Sequence, residues 1–135
     1  MDELPENWTY PLIQPKLIEK YLQVKNNSII GATVTVTVDR PLGSYHPEYK
    51  NMYYPINYGY IEGVMAPDGE EQDAYILGVN EPVGKFTGKI IAIVHRKDDV
   101  EEKWVVVPDG MMFSKDEIRQ QIYFQEQYFD SEIVM

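Results

Sequence analysis

Cysteine is absent from the 135-residue chain. Disulfides, thiolate metal sites and cysteine nucleophiles are therefore excluded. Histidine is scarce, with only His46 and His95, so a three-histidine zinc site is excluded as well. Basic residues are outnumbered: 12 Lys and Arg face 22 Asp and Glu, for a net charge of −10. That balance argues against nucleic acid and anionic membranes as partners, because both select basic surface. It suits a protein that gathers divalent cations. Long apolar runs are missing too. The longest, Ile90–Val94, is far short of the ~20 residues that span a bilayer. The acidic start, Met1-Asp-Glu-Leu-Pro-Glu6, has no basic segment leading into an apolar stretch, so no signal peptide is read there. A cytoplasmic protein is expected.

What remains is ordinary globular material, 44% hydrophobic and 25% charged. The length suits one domain with a core of its own. Residues 1–28 read as an extension carrying a short helix over about 15–24, where Leu17, Ile18, Tyr21 and Leu22 recur at helical spacing. The domain proper then covers 29–135. Thr33-Val-Thr-Val-Thr-Val38 alternates strictly, which predicts a strand with valine on one face. Further strands are expected at Tyr58–Met65, Asp73–Val79, Lys89–His95 and Trp104–Val107, with Pro-Asp-Gly turns at 67–69 and 108–110. The segment from 45 to 58, rich in tyrosine and proline, reads as an ordered loop. Ser114 three residues before Glu117 is a capping-box pattern opening a helix over about 115–129. The fold class is thus mainly β (α+β): a five-stranded barrel of the oligonucleotide/oligosaccharide-binding type, flanked by an N-terminal and a C-terminal helix.

The densest chemistry is Asp68-Gly-Glu-Glu-Gln-Asp73, four carboxylates in six residues between two strands. Hard divalent cations take several such oxygens, yet Pro-Asp-Gly is also a common solvated turn. The calcium loop of EF-hands is excluded, since its glycine and terminal glutamate positions are not matched. A second cluster, Asp98, Asp99, Glu101 and Glu102, leads directly into Lys103. If the two strand starts converge, the carboxylates flank one pocket and a multi-metal phosphoryl site becomes possible. Arg40, Lys50 and several tyrosines precede the first cluster and offer phosphate contacts. His46, beside Pro47, and His95, at a strand end, are read as structural.

The block Tyr54-Pro-Ile-Asn-Tyr-Gly-Tyr60, seven residues before Asp68-Gly-Glu-Glu-Gln-Asp73, resembles the soluble family I inorganic pyrophosphatases. Lys103-Trp-Val-Val-Val-Pro108 looks like that family's lysine-led strand, and Phe124–Tyr128 like its late helix. The resemblance implies a five-stranded barrel that hydrolyses pyrophosphate to two phosphates with magnesium, or manganese in its place. It implies metal ligands at Asp68, Glu70, Asp73, Asp98 and Glu101, with Asp68 and Asp73 catalytic through the metal and Glu70 the general base. Arg40, Tyr54, Lys103 and Tyr128 are implied to hold phosphate. Asp39 competes with Arg40, because the two registers exclude each other. The chain is a short, divergent member on this reading: Glu70 and Glu101 stand where aspartates are usual, and Phe129 where a lysine is. A homo-oligomer is expected. Two alternatives stay open, a hydrolase of a related phosphoanhydride such as a nucleoside polyphosphate, and a barrel that binds metal or anion without turnover.

Overall fold

A computed structural model describes residues 29–97 and 101–135. The expected N-terminal helix and Asp98 lie outside the described residues. Six strands and one helix follow in order: β1 Thr33–Arg40, β2 Asn57–Met65, β3 Glu71–Ile76, β4 Lys85–Arg96, β5 Glu102–Val107, α1 Lys115–Glu126 and β6 Ser131–Val134. The strands pair as β1-β2-β3-β5-β4, and β1 also pairs with β4, so five strands close into a barrel. All pairs are antiparallel except β3 with β5. The five-stranded barrel with a C-terminal helix is the architecture that the turn spacing and alternation predict.

Two faces follow from period-2 alternation. Val36, Ala74, Ile76, Trp104 and Val106 belong to one buried cluster, which fills the barrel. Tyr75, Leu77, Val105 and Val107 belong to the other, together with Ile118 and Ile122 of α1. The helix therefore covers the outer face of β3 and β5. Removing either buried isoleucine to alanine costs about 2–5 kcal/mol in sites of this kind. Ser114 and Glu117 form the expected capping box, with the hydroxyl accepting from the Glu117 N–H and the carboxylate from the Ser114 N–H.

Besides shifts of one or two residues elsewhere, such as at the starts of β2, β3 and β5, boundaries differ from the sequence expectation at the end of β3, the start of β4 and the end of the helix. β3 stops at Ile76 rather than Val79, because Gly78 turns the chain at φ +82°, where other residues are strained. β4 starts at Lys85, since its first half closes the barrel against β1. The helix ends at Glu126 rather than about 129, and Ser131–Val134 forms a sixth strand on β4, paired with Ile93–Arg96.

The motif around Asn57 positions the loop over the barrel mouth. Asn57 is fully buried; its side-chain oxygen accepts from the Leu42 and Val83 N–H groups, and its amide donates to the Glu81 carbonyl. Gly59 is required by close approach: a Cβ there would lie 1.9 Å from the Thr37 carbonyl oxygen. The 45–58 segment is ordered as expected, pinned by a bridge between Tyr45 and Tyr53 and by backbone bonds from Gly43 to Tyr54 and from Tyr54 to Ser44.

Candidate active site

β3 and β5 run parallel with Asp73 directly opposite Lys103. Both side chains share the outer face with Tyr75 and Val105, at the end not covered by α1. The Lys103 ammonium donates to Asp73 Oδ2 at 2.6 Å, to Glu101 Oε1 at 2.5 Å and to the Tyr58 hydroxyl at 2.9 Å. Its three donors are then all engaged. Lys103 is 3% exposed. Burial alone would pull its pKa down, but the Tyr58 oxygen and the Asp73 and Glu101 carboxylates outweigh it, and the net shift is upward. The group is a fixed positive charge. Burial pushes the Tyr58 hydroxyl up, which keeps it neutral.

Glu101 also accepts from Arg96, at 2.8 Å, and Arg96 grips Glu126 through Nε at 3.1 Å and a terminal nitrogen at 2.8 Å. Glu126 further accepts from the Tyr75 hydroxyl at 2.5 Å and from Ser131 Oγ at 2.6 Å. Burial raises the Glu126 pKa, but the bonds from Arg96, Ser131 and Tyr75 outweigh it, so the carboxyl is held below its usual range. Gln125 donates to Tyr75 and accepts from Tyr54, completing a polar path from the loop to Lys103.

Tyr58, Asp73, Arg96, Lys103 and Gln125 of this network line a cavity of about 660 Å³ that also takes in Asp39, Arg40, His46, Tyr54 and Tyr128. Arg40 presents a buried Nε with no hydrogen-bond partner among the described residues. Burial pushes the Asp39 carboxyl upward despite Arg40 beside it at 3.5 Å. The Asp39 and Arg40 registers thus place both residues on one wall. A model of the inorganic pyrophosphatase family matches residues 22–125. The chain belongs to that family.

A relative named inorganic pyrophosphatase, from Halalkalibacterium halodurans, is 28% identical over 103 residues, 71% of this chain and 61% of the relative. The chain thus spans less than two thirds of that relative's length. The solved inorganic pyrophosphatase of Ehrlichia chaffeensis superposes with a TM-score of 0.59 at 19% identity, over 76% of this chain and 85% of that one. That of Coxiella burnetii gives 0.55 at 19% identity, over 78% and 84%. At these identities the two structures show the fold.

Of the residues that the family resemblance implies, Arg40, Tyr54, Asp73, Lys103 and Tyr128 line the cavity, and Glu101 bonds the lysine at its edge. Asp68 and Glu70 do not line it. They occupy the exposed tip of the β2–β3 turn, where Asp68 Oδ1 accepts the Glu70 N–H at 3.0 Å. Among the described residues no three carboxylate or histidine side chains are grouped to hold a metal ion. The carboxylates nearest the cavity floor, Asp73 and Glu101, are already taken by Lys103. Among the described residues, which do not include Asp98, these donors do not form a site for a resident ion.

Three contributors were not read from the sequence. Glu126 sits four residues after Ile122 and eight after Ile118, so the buried stripe of the helix continues into a carboxylate. Arg96 ends the most apolar strand. A charge in each such place demands a buried partner, and the two supply one another. His46 lines the cavity rather than serving the loop alone.

Proposed function

We propose that this chain hydrolyses inorganic pyrophosphate to two phosphates in the cavity beside Lys103. One observation carries the reading: within this family's barrel, Arg40, Lys103 and the hydroxyl-bearing Tyr54 and Tyr128 surround a single cavity with the Asp73 carboxylate on its wall. Arg40, whose partly exposed side chain lines the cavity, is the first donor for a phosphate oxygen, and the tyrosine hydroxyls add neutral donors. Lys103 supplies fixed positive charge close to the charge that develops on the leaving phosphate. Asp39 and Asp73 are the carboxylates on the cavity wall, so water attacking there gives its proton to one of them. Burial pushes the Asp39 carboxyl above the ordinary aspartate range, which suits it to accept that proton.

Magnesium, with manganese as a substitute, enters this reading with the substrate. Arg40, Arg96 and Lys103 line the cavity with Asp39 and Asp73, and Glu101 and Glu126 are bonded to Arg96 and Lys103, so little positive charge is left unmatched for a polyanion. A polyanion enters such a site with its own counter-ion. Asp68 and Glu70 take no step here. We place the chain in the cytoplasm as a homo-oligomer, without a nucleic-acid or membrane partner. The net charge of −10 and the absence of cysteine support this. No helix among the described residues is long and apolar enough to cross a membrane. Exposed Met112 and Tyr123 offer apolar surface that a second copy would cover.

The test is phosphate release from pyrophosphate in magnesium. Two phosphates per molecule consumed are expected, and no release from the folded protein overturns the proposal. A second reading, an anion-binding barrel without turnover, is favoured by the fully engaged Lys103 ammonium. Calorimetric binding of pyrophosphate with no release would select it.

A further inference from the structure

Pyrophosphate leaves most of this cavity unused. Pockets of about 300–1,000 Å³ are the size that encloses drug-sized ligands, and this one measures about 660 Å³. Its unused wall has a definite chemistry. Tyr49, 65% exposed, stands at one end. Its ring lies 4.9 Å from His46, which is near-parallel to Tyr54 at 6.5 Å, and Tyr54 lies 5.9 Å from Tyr58. Tyr58 is the ring whose hydroxyl takes a bond from Lys103. An aromatic wall thus runs from solvent down to the charged floor. The His46 ring is held in place, since Nδ1 accepts the backbone N–H groups of Glu48 at 3.0 Å and Tyr49 at 3.1 Å. With Nδ1 an acceptor, Nε2 is assigned as the ring's donor nitrogen.

From this arrangement we infer that the site takes a nucleoside diphosphate, with its anhydride at Arg40 and Lys103 and its base stacked on the Tyr49–His46 end. The inference rests on the hydrolytic reading above and names its substrate class. A planar ring gains from such a wall whatever its edge chemistry, because every base has a π-face. In the reaction, a water oxygen bonds to the terminal phosphorus and the bond from that phosphorus to the bridging oxygen breaks. The nucleoside monophosphate leaves with the electron pair on that oxygen. The water proton passes to a wall carboxylate and then to solvent.

The experiment compares ADP, methyl diphosphate and pyrophosphate as magnesium complexes, by phosphate release and by calorimetry. Methyl diphosphate carries the same ester-linked anhydride without a ring. We expect kcat/KM for ADP to exceed that for methyl diphosphate at least tenfold, about 1.4 kcal/mol. Tyr49→Ala should collapse that ratio toward one through KM, and Tyr49→Phe should restore it. Tyr49 is exposed, so matched melting curves will show both variants folded. If pyrophosphate is hydrolysed but ADP does no better than methyl diphosphate, the inference falls and the pyrophosphatase reading stands. If none of the three is bound or hydrolysed, both fall. An ADP preference that survives Tyr49→Ala unchanged overturns the stacking wall.

Discussion

The β2–β3 turn and the Lys103 centre are both built from carboxylates, and they behave oppositely. The turn packs Asp68, Glu70 and Glu71 into adjacent exposed positions, where water solvates each one. The Lys103 centre takes single charges from β3, β4, β5, α1 and the loop before β5, and matches each with an opposite charge. Density of charge along the chain marks the first region. Only the barrel's topology creates the second. An exposed carboxylate needs no partner, whereas a buried one left alone is costly, so the sparse, distributed charges are those the fold must arrange.

The sharpest way to break this contrast is Lys103→Met. Asp73 and Glu101, both partly exposed, would then lose their shared cation. We expect a stability loss of about 1–3 kcal/mol in denaturant unfolding, discounted for solvent screening of the two carboxylates, and no measurable hydrolysis. Unchanged stability would mean that the centre is as solvated as the turn.

The second test is a double-mutant cycle on Arg96 and Glu126. Each single change, Arg96→Met or Glu126→Leu, should cost about 3 kcal/mol, because it strands a buried charge. The double variant should recover much of that loss, and additive costs would show that the two residues do not act as a pair.

Asp73→Asn against Glu70→Gln compares the regions directly. The first should fold normally and lose about a hundredfold in hydrolysis, about 2.7 kcal/mol of barrier. The second should change kcat no more than about threefold. A hundredfold loss from Glu70→Gln would show that Glu70 acts as the general base, as the family resemblance implies.

The smallest effect is in pH. The Glu126 pKa is lowered by folding, so its stabilisation is present above the ordinary carboxylate value near 4.3 and is lost as pH falls through the folded value. The stability gap between wild type and Glu126→Gln should therefore be widest near neutrality and narrow below about pH 4. A gap that is constant across pH would detach Glu126 from its charge partners.

Much of the barrel is legible in the sequence because each strand advertises its own face: Val and Thr alternate in β1, and the apolar β4 and β5 run between turns. Asp73 and Lys103 are legible because each leads an apolar strand. What escapes is pairing at a distance. Nothing local says that Glu126 meets Arg96, thirty residues away. Nor does the composition of Ser131–Val134 reveal that β4 has a free edge to receive it. The acidic turn is legible for the complementary reason. Its carboxylates are close in sequence, and the turn at Pro67–Gly69 leaves Asp68 and Glu70 exposed to solvent.

The parallel pairing of β3 with β5 has a kinetic consequence. Asp73 leaves the ribosome thirty residues before Lys103, and β4 must be laid down between them before the two can meet. Antiparallel neighbours can zip from a shared turn, whereas this pair closes only after a long detour, the kind of non-local contact that slows folding. The charged floor is thus among the last parts to assemble, and a chain stalled before β5 carries a strand, a turn and an acidic cluster with no lysine to complete them. Competence and completion arrive together: a partly folded chain of this topology cannot work prematurely.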